Sequence, residues 1–409
     1  MTTKAKLARL WGRALSRRPR YGLVWACFVL LVLALGEGAS VGAQATFYSA
    51  IDIDPSNYPV GALIRMQPLF GAPAGASAYR ILYRSTGLRD EPIVVSGVIV
   101  VPGGPAPPGG RPIVAWAHPT SGLQDQCAPS RARVFFRSVQ GLTDMLSRGY
   151  AVAATDYPGL GAPGVHPYLV GVSEGRAVID SVRAARSAPG VGAGRAFAVW
   201  GHSQGGQAAL FTGMLARSYA PELDLVGVAA AAPATDLRQL MLKDIDTSGG
   251  RNITAMTLWS WSRIYDAPMD KIVMPQAIPA IDQLAGECIE RFFDVFARRG
   301  PTRALARGFL RNDDFANEEP WRALLTANSP GALPPDVPLF LAQGTADDLV
   351  VPSITLAYRN SLCRAGDAVD LQMLPGVGHL SAARDSATAA IAWIADRFNR
   401  LPPPSNCLE

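Results

Sequence analysis

The chain has 409 residues, of which 49% are hydrophobic and 17% charged, enough apolar material for one large α/β domain with an insertion or for two domains, and too much for a disordered chain. Its formal net charge of +5 is concentrated at one end, where Lys4, Lys6, Arg9, Arg13, Arg17, Arg18 and Arg20 crowd against a single acid, Glu37. With residues 1–45 set aside, 31 basic and 32 acidic side chains remain, a net of −1, which excludes a nucleic-acid footprint on charge grounds.

Residues 1–45 have the order of an export signal: the basic stretch, the apolar run Gly22–Gly36, and the small-x-small site Ala43-Gln44-Ala45, with cleavage after Ala45. The alternative is an uncleaved anchor, for which the run falls short of the ~20 residues a span needs. Arg17-Arg18 also permits twin-arginine export, though the following residues match poorly, and Cys27, inside the run, does not suit lipid attachment. The expected location is outside the cell or in its envelope.

Residues 46–75 are rich in Pro and Gly and read as an irregular lead-in. Tyr79–Arg84, Ile93–Val101 and Pro112–Ala117 are the first three strands, with Gly103–Gly110 an exposed loop. A helix ending near Arg148 precedes a strand at Tyr150–Thr155, and a helix over Glu174–Arg186 precedes one at Phe197–Trp200. Leu225–Ala231, Leu339–Ala342 and Val369–Leu374 bring the strands to eight. Short apolar strands alternating with helices predict a mostly parallel sheet covered on both faces.

The stretch Leu237–Pro335 interrupts that series after the sixth strand. It carries Met241, Met256, Trp259, Trp261, Tyr265, Met269, Met274, Phe292, Phe293 and Phe296 without a strand rhythm. It leaves the sheet where strand C-termini present a site, so it reads as a helical cap, with a plain packing layer or a dimer surface as alternatives. The predicted plan is a signal at 1–45, the first part of the core at 46–236, the cap at 237–335 and the rest of the core at 336–409.

The fifth strand runs through Gly201-His202-Ser203-Gln204-Gly205 into a small-residue helix, Gly206–Arg217, the strand–turn–helix frame of a nucleophile elbow. Glycines two before and two after the serine remove side chains that would collide with the neighbouring strand and helix. The Ser203 hydroxyl is then exposed above the sheet, and the Gln204 N–H, at the helix N-terminus, points where a tetrahedral oxyanion would form. A second Gly-x-Ser-x-Gly, Gly171–Gly175, has only Tyr168–Val170 before it as a possible strand, so Ser173 reads instead as a helix N-cap.

A serine nucleophile needs a base, and the base an anion to fix its tautomer. Four histidines are available. His202 lies within the elbow and is expected to point away from the reaction, His118 ends a strand before the nucleophile, and His166 sits in a Pro/Gly loop. His379 follows the last strand, and the chain order serine, acid, histidine selects it. For the acid, Asp347 lies three residues after Gly344 in the loop following the seventh strand; Asp348 and, more distantly, Asp236 are alternatives. The second oxyanion donor belongs in the loop after the third strand. Pro119 has no N–H, so Thr120 is chosen, with His118 as the alternative.

Beyond the signal stand Cys127, Cys288, Cys363 and Cys407, an even number that in an exported chain indicates two disulfides. Three pairings are possible; Cys127 with Cys288 and Cys363 with Cys407 is the one expected, and free buried thiols are the alternative. None has metal-site spacing.

Ala115-Trp-Ala-His-Pro-Thr-Ser-Gly, Cys127-Ala-Pro-Ser, Thr155-Asp-Tyr-Pro-Gly-Leu-Gly, His166-Pro-Tyr-Leu-Val-Gly, Gly201-His-Ser-Gln-Gly-Gly, Gly344-Thr-Ala-Asp and Gly378-His379 together resemble the secretory lipase family of α/β-hydrolases, the lipase A type, over nearly all of the exported part. The resemblance implies secretion, hydrolysis of carboxylic esters and acylglycerols, no metal or other cofactor, and a helical cap with an acyl-chain tunnel. It also implies a cap-to-core disulfide, onto which Cys127 and Cys288 map, and an acid in the oxyanion region, where this chain has His118-Pro119-Thr120 instead.

The expectation is therefore an α/β-hydrolase fold and an exported serine hydrolase, lipase or carboxylesterase, working through an acyl-enzyme on Ser203, His379 and Asp347. Its partners are a small-molecule or lipid ester and, through the cap, a transient lipid interface, with no obligate protein partner. Alternatives are an exopeptidase or acyltransferase on the same fold, although the insertion carries no obvious acidic pair to anchor an amine, and a non-catalytic exported binding protein.

Overall fold

The computed structural model describes residues 47–50, 52–289, 299–306 and 308–407; the expected signal segment 1–45 and the cap residues Phe292, Phe293 and Phe296 lie outside the described residues. From Ala50 onward the chain forms one unit.

Its frame is a nine-stranded sheet in the order β1-β2-β3-β5-β4-β6-β7-β8-β9. The strands are β1 Leu63–Pro68, β2 Ala76–Thr86, β3 Pro92–Pro102, β4 Arg111–Ala117, β5 Ala151–Thr155, β6 Ala193–His202, β7 Asp224–Ala231, β8 Leu339–Gly344 and β9 Val369–Leu374. β1 to β3 pair antiparallel and β3 joins β5 antiparallel; from β5 through β9 every pairing is parallel.

Two expectations need correcting. The sheet has nine strands rather than eight, because Leu63–Pro68 forms an edge strand inside the expected lead-in, with a register shift between Leu63 and Arg65. None of its residues is fully buried, so it lacks the one-sided apolar alternation by which a half-buried strand is read. The elbow consequently follows the sixth strand and the helical insertion follows the seventh. The other correction concerns Ser173. Its helix begins at Gly171 with Val170 at the N-cap, which places Ser173 inside the first turn, and Tyr168–Val170 forms no strand. The Gly171 N–H is satisfied instead by Asn328 Oδ1 at 3.1 Å, from far along the chain.

In chain order the longer helices are α1 Leu142–Ser147, α2 Gly171–Ser187, α3 Gln204–Tyr219, α4 Leu237–Asp244, α5 Ser248–Ile264, α6 Ile278–Gly286, α7 Arg299–Leu305, α8 Trp321–Ala327, α9 Pro352–Ala365 and α10 Ala382–Phe398. Alternation along β4 shows how the layers form. Ile113, Ala115 and Ala117 join the core built with α2, α3 and α9, whereas Val114 and Trp116 join the core built with α1 and α10 on the opposite face. Because both faces are covered, the central strands are apolar through their middles, and Ala151–Thr155 is buried at every position.

Helices α4 to α8 fill the interval between β7 and β8 and share an apolar core with Leu123, Tyr168–Val170 and Val350. Met241, Met256 and Trp261 are buried in it, Trp259, Tyr265, Met269 and Met274 pack against it, and the Trp261 and Trp321 rings stack at 6.4 Å. Two disulfides join distant segments: Cys127–Cys288 links the segment after β4 to that after α6, and Cys363–Cys407 ties α9 to the C-terminal tail. No helix among the described residues is long and apolar enough to cross a membrane.

Candidate active site

The turn from β6 into α3 holds Ser203 at φ 58°, ψ −118°, a conformation rarely adopted by a residue with a side chain. Its N–H donates to the Ala231 carbonyl at 3.0 Å, which pins the corner to the neighbouring strand. A Cβ on Gly201 would strike the Gly205 carbonyl, and one on Gly205 would strike the carbonyl of Ala117; both obstacles are main chain and cannot rotate away. The glycines therefore permit the corner and the corner lifts the hydroxyl.

Ser203 Oγ lies 2.8 Å from His379 Nε2, and His379 Nδ1 lies 2.9 Å from Asp347 Oδ2. Since Asp347 can only accept when ionised, Nδ1 carries the proton and Nε2 is left to accept from the serine. The carboxylate is held from every side. Its Oδ1 accepts from the N–H groups of Leu349 at 3.0 Å and Val350 at 2.8 Å, and its Oδ2 also accepts from Gln343 Nε2 at 3.0 Å. Burial acts to raise its pKa, but His379 and the two backbone donors outweigh that and hold it below the ordinary carboxylate value.

Of the other acid candidates, Asp348 is exposed, and Asp236 is the N-cap of α4, accepting from Gln239 N–H at 2.9 Å. His202 makes its contact with the main chain of His379, its Nε2 donating to the carbonyl at 3.0 Å; burial, reinforced by the His379 ring, lowers its pKa to about 3. His118 has Nδ1 2.7 Å from the Pro119 carbonyl and Nε2 3.2 Å from the Asp156 carbonyl, and burial lowers it to about 4.

Ser203, Gln204 and Thr120 border one cavity of about 40 Å³ whose walls include Leu169, Leu240, Met241 and Ile253. Gln204 is the first residue of α3, so its N–H has no intrahelical acceptor. The Thr120 hydroxyl pairs with the Tyr168 hydroxyl at 2.8 Å.

Two contributors were not expected from the sequence. Gln343 is one; Glu174, in the first turn of α2, is the other. Glu174 Oε1 accepts from Gln204 Nε2 at 2.7 Å and from the Leu169 N–H at 2.9 Å. The same Gln204 amide donates to His166 Nε2 at 3.1 Å, while His166 Nδ1 donates to the Pro158 carbonyl at 2.9 Å. Burial pushes the Glu174 carboxyl up to about 8 and His166 down to about 3, so both are neutral at pH 7. The available signal was a polar residue at a position otherwise reserved for apolar ones: Gln343 closes the apolar run Leu339–Ala342, and Glu174 lies on the buried side of its helix.

Among the described residues no group of three or more His, Cys, Asp or Glu side chains could hold a metal ion. The arrangement can activate a hydroxyl, shuttle one proton and present an apolar cavity to whatever the hydroxyl attacks.

A protein-family model described as secretory lipase matches residues 138–406. A secreted triacylglycerol lipase of Malassezia globosa is 27% identical over 354 residues, covering 80% of this chain and 72% of that protein. A Mycobacterium tuberculosis protein named as a probable inactive lipase is 25% identical over 350 residues, covering 81% and 75%. Among solved structures, Candida antarctica lipase A in its closed state superposes with a TM-score of 0.71 at 19% identity, over 87% of this chain and 86% of that one. The rice cell wall degrading esterase LipA from Xanthomonas oryzae superposes with a TM-score of 0.67 at 20% identity, over 84% and 100%. These structures share the α/β-hydrolase fold.

Proposed function

The chain belongs to the secretory lipase family, and from that membership we propose that it is an exported serine hydrolase that cleaves carboxylic ester bonds of lipids. The observation that carries this reading is the relay from Ser203 through His379 to Asp347, at 2.8 and 2.9 Å, opening on an apolar cavity.

In the proposed reaction Ser203 Oγ attacks the ester carbonyl carbon as its proton passes to His379 Nε2. Asp347 holds the imidazole in register and stabilises its charged form. The N–H groups of Gln204 and Thr120 receive the negative charge that develops on the carbonyl oxygen. Collapse of the tetrahedral intermediate expels the alcohol, which takes the proton from His379 and leaves an acyl group on Ser203. Water then attacks that ester, gives its proton to His379, and the acid departs as Ser203 recovers its own.

Helices α4 to α8, within 237–335, act in this reading as a cap over the site: α4 and α5 supply much of the cavity wall. Residues 1–45 direct export, which agrees with two disulfides in a chain of this kind.

The test is hydrolysis of p-nitrophenyl esters from acetyl to palmitoyl by residues 46–409 beside Ser203→Ala. Loss of the hydroxyl lowers kcat by about a thousandfold or more if the relay works as proposed. Rates rising with chain length identify a lipase, and activity confined to short chains an esterase. An undiminished Ser203→Ala rate, or a parent protein that cleaves no ester, overturns the reading. Because one relative is named as inactive, labelling of Ser203 by a fluorophosphonate is the second readout.

A further inference from the structure

Helix α4 turns one face to the cavity: Leu237, Leu240, Met241 and Asp244 are spaced i, i+3, i+4, i+7, and all four border it. Three of them continue the apolar wall. The fourth is a carboxylate. With about 1.5 Å of rise per residue, Asp244 stands about 10 Å beyond Leu237 along the helix axis. The helix begins just after the segment that abuts the elbow, where Pro233 lies against Gly206, and Asp244 borders the same cavity as Ser203.

Asp244 is only 4% exposed, yet among the described residues its side chain makes no hydrogen bond and no ion pair. Its surroundings do not compensate. Burial, together with the carboxylates of Asp347 and Asp348, pushes the group up to about 7, and Lys243 offsets this only in part. Lys243 Nζ donates instead to Ser353 Oγ at 3.3 Å. The first turn of α5 packs so closely that a Cβ on Gly250 would strike Asp244, but no N–H of that turn bonds to the carboxylate; the Gly250 N–H goes to Thr247 Oγ1 at 2.9 Å. The main-chain carbonyl of Asp244 receives the Thr247 N–H and the Thr247 hydroxyl, each at 2.9 Å. A carboxylate that borders the cavity without a protein partner contributes nothing evident to this fold, whereas a leucine there would extend the apolar wall.

We propose that the cavity takes an acyl arm that is not a plain alkyl chain but carries a hydrogen-bond donor, a hydroxyl or an ammonium, which the Asp244 carboxyl group receives. Asp244 is thereby a specificity-determining residue, and the inference rests on the ester-hydrolase reading above. A site built to satisfy a polar group discriminates against the analogue that lacks it, because the unpaired group is then sealed in beneath the ligand. An alkyl chain alone would bury Asp244 in this way.

The experiment compares p-nitrophenyl alkanoates from butyryl to decanoyl with the same chains ending in a hydroxyl or in an ammonium group, on the full exported chain and on its Asp244→Asn and Asp244→Leu variants. The parent is expected to favour a donor-ended chain at one length by about tenfold or more in kcat/KM. Asp244→Leu reverses the order and raises activity on the plain chain. Asp244→Asn keeps a preference for the hydroxyl and loses one for the ammonium, and the parent's ranking of the two identifies which donor the site is built for. Plain esters cleaved by the parent with no such preference at any length, or an equal loss on plain and substituted chains in both variants, overturns the inference alone. If no ester is cleaved and Ser203 resists a fluorophosphonate, the hydrolase reading falls and this one with it.

Discussion

Gln343 stands fully buried at the end of β8 and its side chain makes four hydrogen bonds: Nε2 donates to Asp347 Oδ2 and to the Val350 carbonyl, each at 3.0 Å, and to the Gly344 carbonyl at 3.3 Å, while Oε1 accepts from Thr355 Oγ1 at 2.7 Å. Gln343→Leu preserves the volume and deletes all four. The Thr355 hydroxyl can turn to a carbonyl of its own helix, and the Gly344 contact is long, so two losses count. A carboxylate deprived of one donor costs about 1.5–3 kcal/mol and a bare buried carbonyl about 1–3, giving about 2.5–6 kcal/mol in all. For about 350 residues the unfolding entropy is about 0.74 kcal/mol/K, so Tm falls by about 3–8 °C. Catalysis suffers less, because Asp347 keeps the N–H groups of Leu349 and Val350 and its bond to His379. The expected loss in kcat/KM is about tenfold, against about 10⁴-fold for Asp347→Asn, which offers His379 the wrong partner. Scanning calorimetry and initial rates on p-nitrophenyl butyrate measure both. An unchanged Tm, or a loss of activity as deep as that of Asp347→Asn, refutes the reasoning.

Gly205→Ala drives a Cβ into the main-chain carbonyls of Ala117 and His118, so the corner cannot form without moving β4; destabilisation beyond about 3 kcal/mol is expected, visible as loss of soluble protein or of the cooperative melt. Glu174 has a folded pKa of about 8, raised by burial above its unfolded value of 4.5, so its contribution to stability is complete below pH 4.5 and is lost as pH rises through 8. Against Glu174→Gln, the parent should lose about 1.4 kcal/mol per pH unit between pH 5 and 8 in urea titrations, and parallel curves would mean the carboxyl ionises normally. Removing Cys127–Cys288, which spans 161 residues, should cost about 5 kcal/mol, and removing Cys363–Cys407, which spans 44, about 4. Calorimetry of the paired Cys→Ser variants, with and without reductant, checks the order.

The elbow was legible because its requirements are local: the glycines that let Ser203 adopt a left-handed φ are neighbours in the chain, and the run Phe197–Trp200 just before it is apolar and buried. His379 was legible from chain order alone. Between Asp347 and Asp348 the sequence could offer only a preference, since adjacent residues differ in which one faces inward, and the difference lies in the donors of Leu349 and Val350 that close on the first. β1 escaped because a half-exposed edge strand has no buried face to imprint on the pattern. Gln343, Glu174 and Asp244 escaped for another reason. Each is a polar residue whose meaning depends on groups brought near it by the fold, and no periodicity records that. Ser173 shows the converse: its motif looks like an N-cap, but the cap of α2 arrives from Asn328, on a segment after α8.

Burial acts on acids and bases in opposite directions, and around this site it acts on both at once. His118, His166 and His202 are held neutral, at about 4, 3 and 3, so what they contribute is present above pH 6.5 and lost as pH falls through those values. Burial raises Asp156, Asp244 and Glu174 to about 6, 7 and 8, so what they contribute is present below the ordinary carboxyl range and lost as pH rises through those values. The same opposition bears on the chemistry. Gln204 is held by a neutral imidazole and a protonated carboxyl, so its side chain is fixed without placing a formal charge beside the amide that is proposed to receive the oxyanion. An ionised Glu174 would oppose the negative charge developing there. Keeping it protonated leaves the Asp347 carboxylate, set behind His379, to match the positive charge that the imidazole acquires in the proposed reaction.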